Sequence, residues 1–159
     1  MATVEEDVRI ERGSSGDLDA VMTVMDSAFG RSFGEAWTRS QLAGILPMGG
    51  VSMVLALEPR SGHTIGFSLF RTVADESELL LLAVMPDARR RGIGRRLLDD
   101  FLEHARNDGV ARVHLEVRDG NPAVDMYRTV GFSPVGRRRN YYHAPDGHRF
   151  DAITLSHQL

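Results

Sequence analysis

The chain has 159 residues, of which 42% are hydrophobic and 26% charged, with a formal net charge of −3. That is enough apolar material for one core, and it is not the basic balance of a chain whose main partner is nucleic acid. There is no cysteine, which excludes disulfides, thiolate catalysis and Cys-ligated metal.

The acidic, polar start, Met1-Ala-Thr-Val-Glu-Glu-Asp7, lacks signal-peptide character. The longest apolar run, Leu79 to Pro86, is far too short to span a bilayer. The expectation is a cytoplasmic protein without a membrane partner, folded as a single domain over residues 1–159.

Val8-Arg9-Ile10 alternates and predicts a short first strand. Ser14 or Ser15 caps a helix, with Asp17 and Asp19 in its first turn, where negative charge suits the dipole. Leu18, Val21, Met22, Met25 and Phe29 follow at helical spacing, and Gly30 ends the helix. An aromatic loop runs from Arg31 to Trp37. Thr38-Arg-Ser-Gln41 is a capping box, so a second short helix starts there and stops before Pro47.

Val51 to Leu57 and Thr64 to Val73 predict an antiparallel hairpin. The next strand, Glu76 to Met85, has a Leu-rich centre with little alternation and is expected to be buried on both faces. A helix beginning at Gly92 or Gly94 carries Ile93, Leu97, Leu98, Phe101, Leu102 and Ala105 on one side, and Asn107-Asp-Gly109 stops it.

Ala111 to Arg118 predicts a strand with Val113, Leu115 and Val117 on one face and His114, Glu116 and Arg118 on the other. Asn121-Pro122 opens a helix through Val130, closed by Gly131. Phe132 to Tyr142 and Phe150 to Leu155 form a last strand pair, joined near Ala-Pro-Asp-Gly147. The order is β-α-α-β-β-β-α-β-α-β-β. That is a mixed α/β, or α+β, fold with a central, mostly antiparallel sheet flanked by helices.

The stretch with most chemical content is Arg89-Arg-Arg-Gly92-Ile-Gly94, between a strand and a helix. Glycines admit close backbone approach to a ligand, and the helix start offers unpaired N–H groups and partial positive charge. Phosphate is the natural guest. A Walker A loop is absent for want of Gly-Lys-Ser/Thr, and a dinucleotide fingerprint fails because Leu97 stands at the third glycine. A solvated basic patch or a nucleic-acid contact remains open on this hexapeptide alone. The six histidines show no metal-ligand spacing, so no metal is expected.

Leu-Ala-Val-Met-Pro-Asp-Ala-Arg-Arg-Arg-Gly-Ile-Gly-Arg-Arg-Leu-Leu98 resembles the acetyl-CoA-binding motif of the GCN5-related N-acetyltransferases (GNAT). The resemblance covers essentially the whole chain. Leu115-Glu-Val-Arg118, Asn121, Met126-Tyr127, Val130-Gly-Phe132, Gly136-Arg-Arg-Arg-Asn-Tyr-Tyr142 and Asp151-Ala152 resemble, more narrowly, the bacterial enzymes that acetylate the N-terminal alanine of ribosomal protein bS18.

The resemblance implies acetyl-CoA as cosubstrate and a protein N-terminus, that of bS18, as acceptor. Leu82, Ala83 and Val84 would meet the pantetheine arm with their backbone, and Arg89, Arg90, Arg91, Gly92, Ile93, Gly94 and Arg95 the pyrophosphate. Asn121 would contact CoA, Glu116 would be the general base and Tyr127 the general acid. The acceptor groove would lie between the Phe29–Trp37 loop and the Arg137–His148 hairpin, with Trp37, Tyr141 and Tyr142 around the peptide.

Residue type and spacing alone leave Glu116 an ordinary strand carboxylate, Tyr127 a packing residue, one of Tyr141 and Tyr142 a cross-strand packing residue, and Glu35 either a contact for a basic peptide or a solvated loop acid. One departure stands out. The family's usual Asn-x-x-Ala-x-x-Leu-Tyr is one residue shorter here, which displaces Asn121 and puts Gly120 in its place if Tyr127 keeps register.

Amide formation from a thioester needs a neutral amine, a stabilised oxyanion and a protonated leaving thiolate. An α-amine with a pKa near ~8 costs roughly 1.4 kcal/mol to neutralise at pH 7, a lysine roughly 4 to 5. A single carboxylate therefore suits an N-terminal acceptor. Two alternatives differ in acceptor or class: acetylation of a small-molecule amine or a lysine side chain, and a non-catalytic acyl-CoA-binding module.

Overall fold

In the computed structural model, residues 7–159 are described; residues 1–6, most of the acidic start, lie outside them. The strands are β1 (Arg9–Arg12), β2 (Val51–Leu57), β3 (Thr64–Val73), β4 (Glu76–Val84), β5 (Arg112–Arg118), β6 (Ser133–His143) and β7 (Arg149–Gln158). The helices are α1 (Leu18–Phe29), α2 (Arg39–Ile45), α3 (Ile93–Asn107) and α4 (Ala123–Thr129). The strands make one seven-stranded sheet in the order β1-β2-β3-β4-β5-β7-β6. Only β4 and β5 are parallel. This is the mixed, mostly antiparallel fold expected from the sequence.

Local chemistry explains most boundaries. Thr38 and Gln41 form a reciprocal capping box: the Gln41 N–H donates to Thr38 Oγ1 at 3.1 Å and the Thr38 N–H to Gln41 Oε1 at 2.8 Å. Gly30 closes α1 at φ 59°, with its N–H on the Asp26 carbonyl. Asn121 Oδ1 accepts the Ala123 N–H at 2.9 Å and so caps α4. The first helix starts later than its polar residues suggest. Ser15–Asp17 is a turn of 3-10 helix, tied by the Asp17 carboxylate to the Ser14 N–H, and the α-helix begins at Leu18.

The core lies in two layers, one on each face of the sheet. Phe70, Leu79, Leu97, Phe101, Leu115 and Leu155 pack with α3 on one side. Val21, Met25, Leu42, Met53, Phe67 and Leu81 pack with α1 and α2 on the other.

β4 meets a core layer on each face, as its composition implies, but burial along it is uneven: buried residues alternate with half-buried ones. A bulge decides which layer each joins. Leu69 of β3 faces Leu81 and Phe70 of β3 faces Leu79, so Leu80 is an extra, unopposed residue of β4. Leu79 packs in the α3 layer, whereas Leu81 and Ala83 pack in the α1/α2 layer. Leu80 and Leu82 stay half-exposed, facing open space.

Candidate active site

The site begins where two strands part. β4 and β5 pair only from Glu76/Arg112 to Leu79/Leu115. Beyond that point β4 stays with β3 and β5 with β7. The bulge at Leu80 falls where pairing ends, and a bulge bends its strand and increases its twist. The facing edges of Leu80–Val84 and Glu116–Arg118 are thus left without ladder partners. A cavity of about 830 Å³ opens beside the start of α3. A smaller one, about 120 Å³, opens toward Tyr141 and Tyr142 of β6. Glu35, Leu82, Asn121 and Tyr127 border both.

The large cavity is lined by the strand end expected to meet the pantetheine arm, Leu82, Ala83 and Val84, and by most of the expected phosphate turn, Arg89, Arg90, Gly92, Ile93, Gly94 and Arg95. Gly92 precedes α3 in the left-handed region (φ 74°), and Arg90 adopts φ 66° without the freedom of glycine. The first intrahelical bond runs from the Arg96 N–H to the Gly92 carbonyl at 3.0 Å. The N–H groups of Ile93, Gly94 and Arg95 have no partner within the helix, which makes this end a site for negative charge.

The arginine side chains of this turn have other partners. Arg89 donates to the Ala28 carbonyl near the end of α1 at 3.1 Å, and Arg91 pairs with Glu58 on the β2–β3 turn at 2.9 Å. Arg95 pairs with Asp99 at 3.0 Å, and Arg96 donates to the Val8 carbonyl. Arg91 does not line the cavity. Three of these guanidiniums, those of Arg89, Arg91 and Arg96, fasten the turn to α1, the β2–β3 turn and the chain before β1.

Glu116, Tyr127, Trp37, Tyr141 and Tyr142 all line the small cavity. The Glu116 side chain is 9% exposed, with Oε1 2.9 Å from Arg138 Nε and Oε2 accepting the Thr154 hydroxyl at 2.7 Å. Tyr142 donates to the Glu116 main-chain carbonyl at 3.3 Å. Its ring meets that of Tyr141 edge-on, centroids 4.9 Å apart. One of this pair is thus a packing partner and the other, Tyr141, is exposed at the rim.

Tyr127 is buried against Phe132. Burial pushes its phenol well above the ordinary value, and the Glu35 charge adds to the shift. Tyr142 is raised for the same reasons, burial first, then Glu35.

The loop acid Glu35 is not solvated. Its side chain is 11% exposed, and its carboxylate accepts from Arg118 Nε at 3.3 Å and from Asn121 Nδ2 at 3.1 Å. The Arg118 guanidinium also lies 3.6 Å over the Phe33 ring. Glu35 and its partners are more than 80 residues apart in the chain, so no local pattern signals the contact. Both ends of the Asn121 amide are engaged inside the protein, one in this contact and one in the helix cap. In the sequence Arg138 stands out only as part of the Gly136–Tyr142 stretch and of the Arg137–His148 hairpin, with no role of its own, and Thr154 only by its place in the last predicted strand.

Among the described residues no group of three or more His, Asp or Glu is placed to hold a metal ion. No helix among them is long and apolar enough to cross a membrane.

Comparison with known proteins agrees with this geometry. The profile of the acetyltransferase (GNAT) family matches residues 18–132. The [ribosomal protein bS18]-alanine N-acetyltransferase of Escherichia coli K12 is 40% identical over 98 residues, 61% of this chain and 66% of that protein. The matched stretch thus falls just short of two thirds of that relative's length. The N-alpha-acetyltransferase RimI of Mycobacterium tuberculosis is 48% identical over 102 residues, 60% of this chain and 61% of that protein. The crystal structure of the Escherichia coli ribosomal-protein-S18-alanine N-acetyltransferase superposes with a TM-score of 0.85 at 30% identity, covering 96% of this chain and 94% of that one.

Proposed function

The chain belongs to the acetyltransferase (GNAT) family of acetyl-CoA-dependent N-acetyltransferases, and from that we propose that it acetylates the α-amine of a protein N-terminus, with ribosomal protein bS18 as the candidate acceptor. Such an acceptor puts the reaction in the cytoplasm. The observation that carries the reading is the placement of Glu116 and Tyr127 on one small cavity, with Tyr127 also bordering the large one.

The large cavity fits CoA chemically. Its diphosphate suits the free N–H groups of Ile93, Gly94 and Arg95 beside the left-handed turn at Gly92. Its pantetheine arm suits the unpaired β4 edge at Leu82–Val84, which leads from that turn to the small cavity. An amide-bearing chain there takes the place of a missing strand.

In the small cavity Glu116 takes a proton from the acceptor ammonium. The freed nitrogen lone pair attacks the thioester carbonyl carbon, the C–S bond breaks, and the departing sulfur receives the proton of Tyr127; the second proton, lost from the acylated nitrogen, restores the Tyr127 phenol, and Glu116 gives its proton to solvent. Burial makes Tyr127 a weaker acid than a free phenol, but the same burial makes a thiolate a stronger base, so the pair stays matched.

The test is CoA release from acetyl-CoA with a peptide beginning as bS18 does, compared with a lysine peptide blocked at its N-terminus and with free small amines. Turnover on the first peptide alone is expected. Preference for lysine or a free amine would move the acceptor class, and no turnover on any would leave an acyl-CoA-binding module. Glu116→Gln is expected to lower turnover by about 10²–10⁴-fold; undiminished turnover would remove Glu116 from the base role.

A further inference from the structure

Both oxygens of the Glu116 carboxylate have a partner, and the two differ in kind: a guanidinium forms an ion pair at Oε1 and a hydroxyl donates to Oε2. Thr154 stands directly opposite Glu116 in the β5–β7 ladder, and its hydroxyl is neutral and short-tethered. Arg138 reaches in from β6, the edge strand on the far side of β7. Its side chain is 63% exposed, against 9% for the carboxylate it covers. Gly136 stands across from Thr154 in the next ladder, so no side chain is interposed there. The Arg138 guanidinium also lies 5.8 Å from the centre of the Tyr141 ring, at the rim of the small cavity.

A carboxylate this buried is costly without a cation, and at rest it has one. Yet a base that is to deprotonate an ammonium must receive that ammonium as its cationic partner first. We propose, on the reading of Glu116 as the base, that the acceptor ammonium exchanges with Arg138 at Glu116 Oε1, while Thr154 holds Oε2 and keeps the carboxylate aimed into the cavity. The exchange conserves charge: one cation leaves the carboxylate as another arrives. The displaced guanidinium is mostly in solvent already and keeps the face of Tyr141 as a cation–π partner. Arg138 is therefore a competitor of the acceptor, and Thr154 a positioning residue for the base.

The two contacts predict opposite kinetic signatures. Arg138→Gln removes the competitor, so the KM for the acceptor peptide falls about three- to fivefold, the size of a partly exposed ion pair. The acceptor dissociation constant in the presence of CoA, measured by calorimetry, falls with it, and Arg138→Lys restores both toward the original values. A peptide of the same sequence with hydrogen in place of its α-amino group binds the Arg138→Gln and unaltered proteins equally, because it brings no cation.

Thr154→Val lowers kcat about tenfold with little change in acceptor KM, and Thr154→Ser restores kcat. An acceptor KM that rises or holds steady in Arg138→Gln, or an equal gain in affinity for the peptide without the amine, would overturn the exchange. Loss of acceptor KM rather than kcat in Thr154→Val would overturn the positioning role. Glu116→Gln separates these outcomes from failure of the underlying reading: if it retains full turnover, the base assignment itself falls.

Discussion

Tyr127 faces the space that the strands leave open, and its hydroxyl has no hydrogen-bond partner among the described residues. Its proton is secure at neutral pH because burial and the Glu35 charge both disfavour the phenolate. Tyr127→Phe keeps the ring against Phe132 and removes only the proton donor. Steady-state kinetics on the bS18-type peptide are expected to show kcat lowered by about 10²–10⁴-fold, with the melting temperature and the KM for acetyl-CoA close to the original. A large drop in melting temperature would instead mark Tyr127 as a packing residue. Helical spacing identified the position of Tyr127 but not this choice. The choice depends on Glu35 and on the gap between β4 and β5, neither of which is a neighbour in the chain.

At the scale of the element, the 31–37 loop and the β6–β7 hairpin act as one wall. Phe33 packs edge-on against Phe150, centroids 5.1 Å apart, and Glu35 is clamped by Arg118 and Asn121. Gly34 sits at φ 71°, and a Cβ there would stand 2.1 Å from the His143 carbonyl oxygen. That contact explains the glycine better than flexibility does. Gly34→Ala must push the loop off the hairpin, so the acceptor KM is expected to rise about tenfold or more while the KM for acetyl-CoA changes little. Initial-rate measurements with each substrate varied in turn would show it; a change confined to acetyl-CoA would detach the loop from the acceptor.

The Arg139-Asn-Tyr-Tyr142 stretch has a similar explanation. Register slips between Arg138 and Tyr142, Asn140 takes φ 53°, and its N–H donates to Asp151 at 2.9 Å. That N–H first, and then Arg137, hold the Asp151 carboxyl below its ordinary range. The motif was visible in the sequence. Its physical content, a bulge pinned by an aspartate on the adjacent strand, was not.

For the whole molecule, the tyrosines give a global readout. All 19 basic residues are arginine, and the chain has neither lysine nor cysteine. Between about pH 9 and 12, therefore, the side chains that titrate are the three tyrosines, Tyr127, Tyr141 and Tyr142. All three are raised in the folded state, burial being the largest cause in each. A raised folded pKa contributes stability that is fully present below the unfolded value near ~10 and is lost as pH rises beyond it, because the unfolded chain releases those protons first. The urea midpoint is expected to hold steady up to about pH 9.5 and fall steeply above it, with phenolate absorbance of the buried pair appearing together with unfolding. Tyr127→Phe and Tyr142→Phe combined should flatten that alkaline limb; an unchanged limb would mean that these phenols ionise without unfolding the chain.

The sequence by itself determined the element order, the caps at Thr38 and Asn121, the amphipathic α3 and the glycine turn before it, because each rests on periodicity or on hydrogen bonds spanning a few residues. It also supplied the family, through the motif around that turn and the stretches that follow it. Tertiary structure alone decided that β4 and β5 part after Leu79 and Leu115, that a bulge at Leu80 switches which layer its neighbours join, and that Glu35, Arg118 and Asn121 lock together. It alone placed Arg138 and Thr154 on the two oxygens of Glu116. Those facts depend on pairing register and on contacts between residues more than 20 positions apart in the chain. A strand's apolar pattern states which faces are buried, but not where its neighbour leaves it, and here the point of leaving makes the site.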